Sequence, residues 1–513
     1  MSAAGPAVRH PAAGADFLQL NPAAAPARGL TGWLASALRA GIRDGRLPAG
    51  AVLPATRVLA GDLGVSRGVI VEAYQRLGDE GLVGARQGAG TVVLPHQPPG
   101  PGRVAGAGRP APAVPPAAPL HTLTGTPAVP ELPRRWRAHA EIDLSPGVPD
   151  LSAFPRAAWL RAERAVLASA SPADLGYGDP RGSERLRTEL TGWLARTRGI
   201  RAQPGAIIIV AGVAQAMALL AQQLRAAGST RIAVEDPGSR GARDELAHWG
   251  LDPVPVPVDE RGLDVAALAR SGVRAALLTP AHQFPTGVVL APPRRRALLD
   301  WAAAGGLVIE DDYDAEYRYD RAPVPAVQAS GPGRVAYTGS TSKTLAPGMR
   351  LGWLIPPARL YAGLVAAKHA SDLGSPALPQ LVLAQLIASG ELARHVRQVR
   401  GRQRGRRDAL LAALRGQLPS ARVQGVPAGL HLLITFPELA GARPDGTGPD
   451  GTGPDDTELA SRLQRDGVLV HPLSWHRVGS GPPGLVLGYA AHSPDQLREA
   501  ARRITSAVRA WAG

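Results

Sequence analysis

Residues 95–133, running from PHQPPGPGRVAGAGRPAPAVPPAAPL to VPELP, hold Pro, Ala and Gly and almost no large apolar side chains. Proline fixes φ and donates no backbone hydrogen bond, and alanine and glycine bury little area, so this stretch builds no core. It predicts an extended, semi-rigid linker over residues 95–140. The linker splits the 513 residues into a small N-terminal unit, 29–94, and a large C-terminal unit, 141–513. Residues 1–28 are expected to form a disordered tail. A second biased stretch, RPDGTGPDGTGPDD (Arg443 to Asp456), carries a short tandem repeat and reads as a solvated loop inserted between two elements.

The rest of the composition is that of a globular chain, 45% hydrophobic and 19% charged. No apolar run approaches the length of a membrane span, so no membrane partner is expected. The opening MSAAGPAVRHPAAGADF lacks the apolar core of a signal peptide. The chain has no cysteine, which excludes disulfides, thiolate zinc and thiol nucleophiles and fits a cytoplasmic protein. No other zinc spacing and no P-loop occurs, so no metal is expected. The net charge of +15 suits an anionic partner. Positions 1–96, however, hold nine Arg against six acidic residues, so charge alone does not locate a nucleic-acid surface.

Pattern locates it better. A helix is expected near Leu30 to Asp44, followed by LPATRVLAGDLGVSRGVIVEAYQRLGDEGLV, which reads as two helices joined by a tight turn. Thr56 is placed to cap the first, Gly64 supplies the turn, and Ser66 caps the second. In the second helix Val69, Ala73, Tyr74 and Leu77 share a face, leaving Arg67, Gly68, Val71 and Gln75 outward. LVGARQGAGTVVL then alternates around a Gly-rich tip as a two-stranded wing does. A winged helix-turn-helix puts the N-terminal side chains of its second helix into the DNA major groove. Ser66, Arg67 and Gly68 occupy that position, and arginine binds guanine bidentately. Arg57, and Arg86 on the wing, are candidates for phosphate contacts. Trp33 and Tyr74 are expected in this unit's core.

The large unit alternates helical segments with the apolar runs AIIIVAG, TRIAVED, AALLTP, GLVIEDD and RVAYTGS. That order predicts an α/β unit with a mainly parallel sheet, covered on both faces, whose ligands gather at the carboxyl ends of the strands. The distinctive residues fall at those ends. GLVIEDDYD closes one strand with Asp311, Asp312 and Tyr313, and RVAYTGSTSK closes another with Ser340, Ser342 and Lys343. Lys343 is one of only two lysines, with Lys368, among 57 cationic Lys and Arg side chains. Arginine replaces lysine where charge suffices, but it cannot supply a neutral amine that attacks a carbonyl. Arg350, with the two serine hydroxyls, makes a phosphate-binding set. The backbone donors of Val213, Ala214 and Gln215, at a helix start, make a second anion site. Each residue taken singly fits an ordinary loop. Amine, phosphate cradle and buried carboxylate together point to pyridoxal 5′-phosphate.

The stretches GYGDPRGSERLR, VEDPGSRGAR, TPAHQFPTGVV, IEDDYDAEYRYD and GSTSKTLAPGMRLGW resemble those of fold-type I aminotransferases. With an N-terminal unit that resembles a GntR-type winged helix, the whole chain resembles the MocR-type (GabR-like) transcriptional regulators. The resemblance implies a smaller C-terminal subdomain beside the main sheet. It implies that Lys343 carries the cofactor as a Schiff base, that Asp311 pairs with the pyridine nitrogen, and that Tyr313 bonds the ring O3′. Ser340, Ser342 and Arg350 would hold the phosphate. Tyr177 would reach the phosphate of a neighbouring subunit in a head-to-tail homodimer. The implied partners are operator DNA and, as effector, pyridoxal phosphate or a small amino compound.

This chain departs from the family pattern at several positions. Ser239 stands where an aromatic residue usually stacks on the ring, and Val213 where a serine often donates to the phosphate. HQFPTG replaces NPTG, leaving His282 or Gln283 to stand in for the asparagine that bonds O3′. Val486 occupies the place of the arginine that grips a substrate carboxylate, which argues against amino-acid turnover; Arg477 is an alternative clamp. His431 reads as a packed core histidine and RQVRGRQRGRR, Arg397 to Arg407, as a solvated helix face. Three functions compete. They are a ligand-sensing transcription factor, a working aminotransferase that carries a DNA-binding domain, and a DNA-binding protein with an enzyme-like dimerisation scaffold.

Overall fold

The computed structural model describes residues 20, 25–26, 29–80, 82–86, 90–94, 140–320, 323–415, 417–418, 421–437 and 455–512. The linker and most of the inserted loop expected from the sequence lie outside these residues, as do the wing tip, 87–89, and most of the tail. Contacts divide the chain into two units, Met1–Pro119 and Leu120–Gly513.

In the first unit α1 (Leu30–Arg43), α2 (Thr56–Leu63) and α3 (Arg67–Asp79) precede a wing of β1 (Val83–Arg86) and β2 (Gly90–Val93), paired antiparallel. Leu34, Leu38, Leu59, Ile70 and Leu77 form the centre of its core, each at most 1% exposed. Burying such a side chain stabilises by about 1.5–3 kcal/mol. Tyr74 is buried with them and donates to the carbonyl of Pro54 at 2.9 Å, while Trp33 packs half-buried at the edge. Gly64 closes α2 in the left-handed region, φ 63°.

Three local expectations are corrected. Thr56 is the first helical residue rather than the cap; Ala55 takes the cap position, and the Thr56 hydroxyl accepts from Arg67 Nε at 3.3 Å. Ser66 occupies the cap of α3 with extended backbone but makes no side-chain cap bond. Ile70, not Val69, is the fully buried residue of the first turns of α3; Val69 is half-buried.

The second unit is built on an eight-stranded sheet. Its strands are β3 (Ile208–Val210), β4 (Arg231–Asp236), β5 (Asp252–Asp259), β6 (Gly262–Leu263), β7 (Ala275–Leu278), β8 (Leu307–Asp312), β9 (Val335–Ser340) and β10 (Gly352–Ile355). The order is β3-β10-β9-β8-β7-β4-β5-β6, parallel from β9 through β5 and antiparallel at both edges. Both faces are covered, so the strands read as continuous apolar runs, as a mainly parallel sheet requires. Period-two alternation sends Ile208 and Val210 into one core layer and Ile207 and Ile209 into the other. A smaller antiparallel sheet follows, of β11 (Arg422–Gln424), β12 (His431–Thr435), β13 (His471–Pro472) and β14 (Gly484–Gly488), in the order β11-β12-β14-β13. Among the described residues no helix is long and apolar enough to cross a membrane, and no acidic or histidine cluster is arranged to hold a metal ion.

Candidate functional site

Strand alternation decides which acid of the EDDYD run serves the sheet's rim. Asp312 turns away from the cavity. It pairs with Arg198, 1% exposed at the end of α4 (Glu184–Arg198), and accepts from the Tyr337 hydroxyl at 2.5 Å. Asp311 and Tyr313 take the opposite face and line a cavity of about 330 Å³. Thr338, its register partner on β9, is 3.5 Å from the Asp311 carboxylate. Burial, then the charge of Asp312, pushes the Asp311 carboxyl up to about 7; Lys343 offsets part of that.

Lys343 follows β9 in a turn anchored by two backbone contacts. The Tyr317 hydroxyl donates to the Lys343 carbonyl at 2.9 Å, and His395 Nε2 lies 2.8 Å from the Thr344 carbonyl. Lys343 Nζ donates to the Gly147 carbonyl at 2.6 Å. Burial lowers its pKa, while Asp314 and Asp311 act in the other direction. Gly147 has φ 81°, and a Cβ there would stand 3.1 Å from Nζ, so both conformation and space favour glycine. The other lysine has a structural place: Lys368 is fully buried and bonds Asp372 at 2.5 and 2.7 Å and Ser375 at 3.0 Å.

The anion side of the cavity comes from the pairing of β10 with β3, Gly352 opposite Val210. That register sets Arg350 beside Gly212 and the start of α5 (Val213–Ala226). Arg350 is left-handed at φ 49°, and its guanidinium lies 3.1–3.3 Å from where a Gly212 Cβ would stand. The first-turn N–H groups of α5, those of Val213, Ala214 and Gln215, lack intrahelical acceptors by the geometry of a helix start. Ser340 and Ser342 complete this side.

The structure thus brings Lys343, Asp311, Tyr313, Ser340, Ser342, Arg350, Val213 and Ala214 around one cavity. It does not bring in the Gln215 side chain, which accepts from the Ala211 N–H at 2.8 Å and donates to Asp372 at 2.7 Å. Nor does it bring in Tyr177, which is 90% exposed on a separate surface groove of about 770 Å³. Gln283 is spent on its own turn, donating to the carbonyls of Pro237 and Phe284 and accepting from Thr286. His282 sits 2.9 Å from Asp314 and 3.1 Å from the Tyr313 hydroxyl, behind the lining rather than in it. Arg477 donates to the carbonyls of Pro482 and Gly481 in its own loop. Ser239 lines the cavity and also caps α6 (Arg240–His248), accepting from the Ala242 N–H at 3.2 Å. His431 is buried as a core histidine, with Nε2 3.1 Å from the Pro285 carbonyl. The basic run lies on α7 (Glu391–Leu414); Arg397 and Arg404 face solvent, but Arg406 is buried and pairs with Asp150 at 2.8 Å.

Sequence reasoning missed Pro146, Gly147, Thr279 and Phe284 in the lining. Thr279 is fixed from both sides: it donates twice to Glu235, at 3.0 and 2.7 Å, and accepts from the Phe284 N–H at 3.0 Å. Burial pushes Glu235 up to about 7. Proximity to the HQFPTG motif was the available signal for Thr279 and Phe284; for Pro146 and Gly147, far upstream, there was none. In the N-terminal unit Arg57, Ser66, Arg67, Gly68 and Arg86 are all exposed.

Comparisons with known proteins follow this division. Residues 31–93 match the family of bacterial regulatory proteins, gntR family, and residues 140–504 match aminotransferase class I and II. The chain is 33% identical over 482 residues to the HTH-type pyridoxine biosynthesis transcriptional regulator PdxR of Corynebacterium glutamicum, covering 93% of this chain and 95% of that one. It is 32% identical over 474 residues to the probable rhizopine catabolism regulatory protein MocR of Rhizobium meliloti, covering 92% of each. Among solved structures it resembles Pyrococcus horikoshii kynurenine aminotransferase, with a TM-score of 0.67 and 25% identity, over 76% of this chain and 96% of that one. A GntR-type winged helix joined to an aminotransferase class I and II domain, similar to those regulators along nearly its whole length, places this chain in the MocR-type family of transcriptional regulators.

Proposed function

We propose that the chain binds operator DNA through α3 and the wing, and that its aminotransferase-like unit senses pyridoxal 5′-phosphate, an amino compound, or both. The observation that carries this reading is the meeting of Lys343, Asp311 and Arg350 in one cavity. The donor set fits the cofactor. Glycine at 147 and 212 keeps the Lys343 amine and the Arg350 guanidinium open to a ligand, because a Cβ at either position would stand about 3.1 Å from the cation. When bound, pyridoxal phosphate supplies an aldehyde that condenses with amines and a ring that withdraws electrons.

The residues then divide the work. Arg350, Ser340, Ser342 and the first-turn N–H groups of α5 hold the phosphate dianion. Asp311, on the sheet's rim, holds a proton at the ring nitrogen. Tyr313 bonds the ring hydroxyl and orients the ring. Lys343 presents an amine whose burial favours the neutral, nucleophilic form. An effector amine would compete with the Lys343 amine for the cofactor's aldehyde, and it would regulate only if it favoured one conformation over another.

Relation to a pyridoxine biosynthesis regulator supports pyridoxal phosphate as one ligand. A head-to-tail homodimer is part of the reading, and the exposure of Tyr177, Leu175 and Leu373 along the surface groove supports it. DNA footprinting upstream of its own gene and its neighbours, with and without pyridoxal phosphate and amines, tests the proposal. A protected site whose extent changes with ligand supports it; protection insensitive to every ligand counts against sensing.

A further inference from the structure

The segments that follow the paired strands β7 and β8 bring three polar side chains together: His282, Tyr313 and Asp314. Tyr313 lines the cavity, and the other two stand behind it, His282 4% exposed and Asp314 1%.

Their geometry assigns the protons. His282 Nδ1 lies 2.9 and 3.1 Å from the two Asp314 carboxylate oxygens and 3.1 Å from the Tyr313 hydroxyl oxygen. A carboxylate oxygen accepts, so Nδ1 carries its proton and donates to Asp314. Toward Tyr313 the same nitrogen offers a hydrogen and no lone pair, so the hydroxyl does not donate to it. Burial, then the charge of Asp314, keeps that hydroxyl protonated well above its ordinary 10, and it stays a donor. Asp314 is itself within the hydroxyl's reach. The tyrosine proton therefore has two destinations, Asp314 or an acceptor in the cavity.

The fold makes room for this cluster. A Cβ on Gly429 would stand 2.6 Å from both His282 Nδ1 and an Asp314 oxygen, and Gly429 sits at φ 74°. Its backbone is pinned there. Its N–H donates to the Tyr317 carbonyl at 2.8 Å, and its carbonyl accepts from the Tyr319 and Tyr489 hydroxyls, each at 2.6 Å.

We propose that His282 is a positioning residue for the cofactor: by engaging the Asp314 carboxylate, it leaves the Tyr313 hydroxyl free to donate into the cavity, to the oxygen of the cofactor's ring hydroxyl. This deepens the cofactor reading above and rests on it. Without the imidazole donor, Asp314 draws the tyrosine proton to itself and the ring oxygen loses its partner.

The test is an absorption titration of the full-length, cofactor-free protein with pyridoxal phosphate and with its analogue carrying hydrogen in place of the ring hydroxyl. The ratio of the two affinities is the readout, and thermal unfolding confirms that each variant is folded. His282→Asn keeps an N–H near the place of Nδ1, whereas His282→Gln moves it to the far side of the ring. The wild type is expected to prefer pyridoxal phosphate, and His282→Asn to keep that preference within about twofold. His282→Gln should lose about threefold or more of it, through weaker binding of pyridoxal phosphate and not of the analogue. His282→Ala should show the same selective loss, so the result does not depend on how the glutamine packs. A preference unchanged in His282→Gln and His282→Ala, equal weakening of both ligands, or no preference in the wild type overturns the proposal and leaves the cofactor reading standing. Failure of the wild type to acquire cofactor absorption removes both together.

Discussion

Asp311 and Asp312 are adjacent and chemically identical, yet the sheet gives them opposite duties. Asp312 anchors Arg198 and Tyr337 inside the protein, and Asp311 faces the cavity, 3.5 Å from the Thr338 hydroxyl and drawn on by the charge of Lys343. Its carboxyl titrates near 7 in the fold against an ordinary 3.8. The folded chain therefore keeps a proton that the unfolded chain releases between those values. This group's contribution to stability is greatest below about 3.8 and is lost as pH rises through about 7. Urea unfolding of the cofactor-free protein should thus show the wild type losing stability relative to Asp311→Asn between about pH 4 and 7. A difference that stays constant with pH would contradict the burial argument. Arg350→Ala should weaken pyridoxal phosphate binding by about 1.5–3 kcal/mol, the worth of a hydrogen bond to a charged group, in a fluorescence titration. Unchanged affinity would remove Arg350 from the phosphate cradle.

At the scale of elements, the sequence displayed the strands that end at the site more clearly than the contacts between them. GLVIEDD and RVAYTGS became β8 and β9 because unbroken apolar runs bounded by polar ends have few other folds in a two-sided sheet. Their chemistry was legible because lysine is so rare here. Gly147 was not legible, since its role arises from a tertiary approach by Lys343 that no local pattern encodes. The same holds for Gln215, whose backbone position was evident but whose side chain found Asp372, 157 residues away. The cap of α2 was misplaced by one residue because Thr56 supports the helix start from within, holding Arg67 instead of the backbone. Two substitutions follow from element geometry. Gly212→Ala forces a side chain into φ 95° and against Arg350, so it should cost about 1–3 kcal/mol in thermal unfolding and also weaken cofactor binding. Ile70→Ala, at a fully buried site of α3, should cost about 2–5 kcal/mol, enough to unfold a small domain. DNA binding would then be lost while cofactor absorption is kept; loss of both together would contradict the division into two units.

Across the whole molecule, a DNA-binding type of unit is joined to an aminotransferase-like one that retains an amine, an acid and an arginine around one cavity. The central claim is that Lys343 connects ligand binding to DNA binding. Fluorescence anisotropy of a labelled operator fragment, titrated with wild type and with Lys343→Ala, each with and without pyridoxal phosphate and an amine, tests it directly. The account predicts that ligand changes the operator affinity of the wild type, that the variant still binds DNA, and that its affinity does not respond. A variant that responds to ligand as fully as the wild type would contradict it.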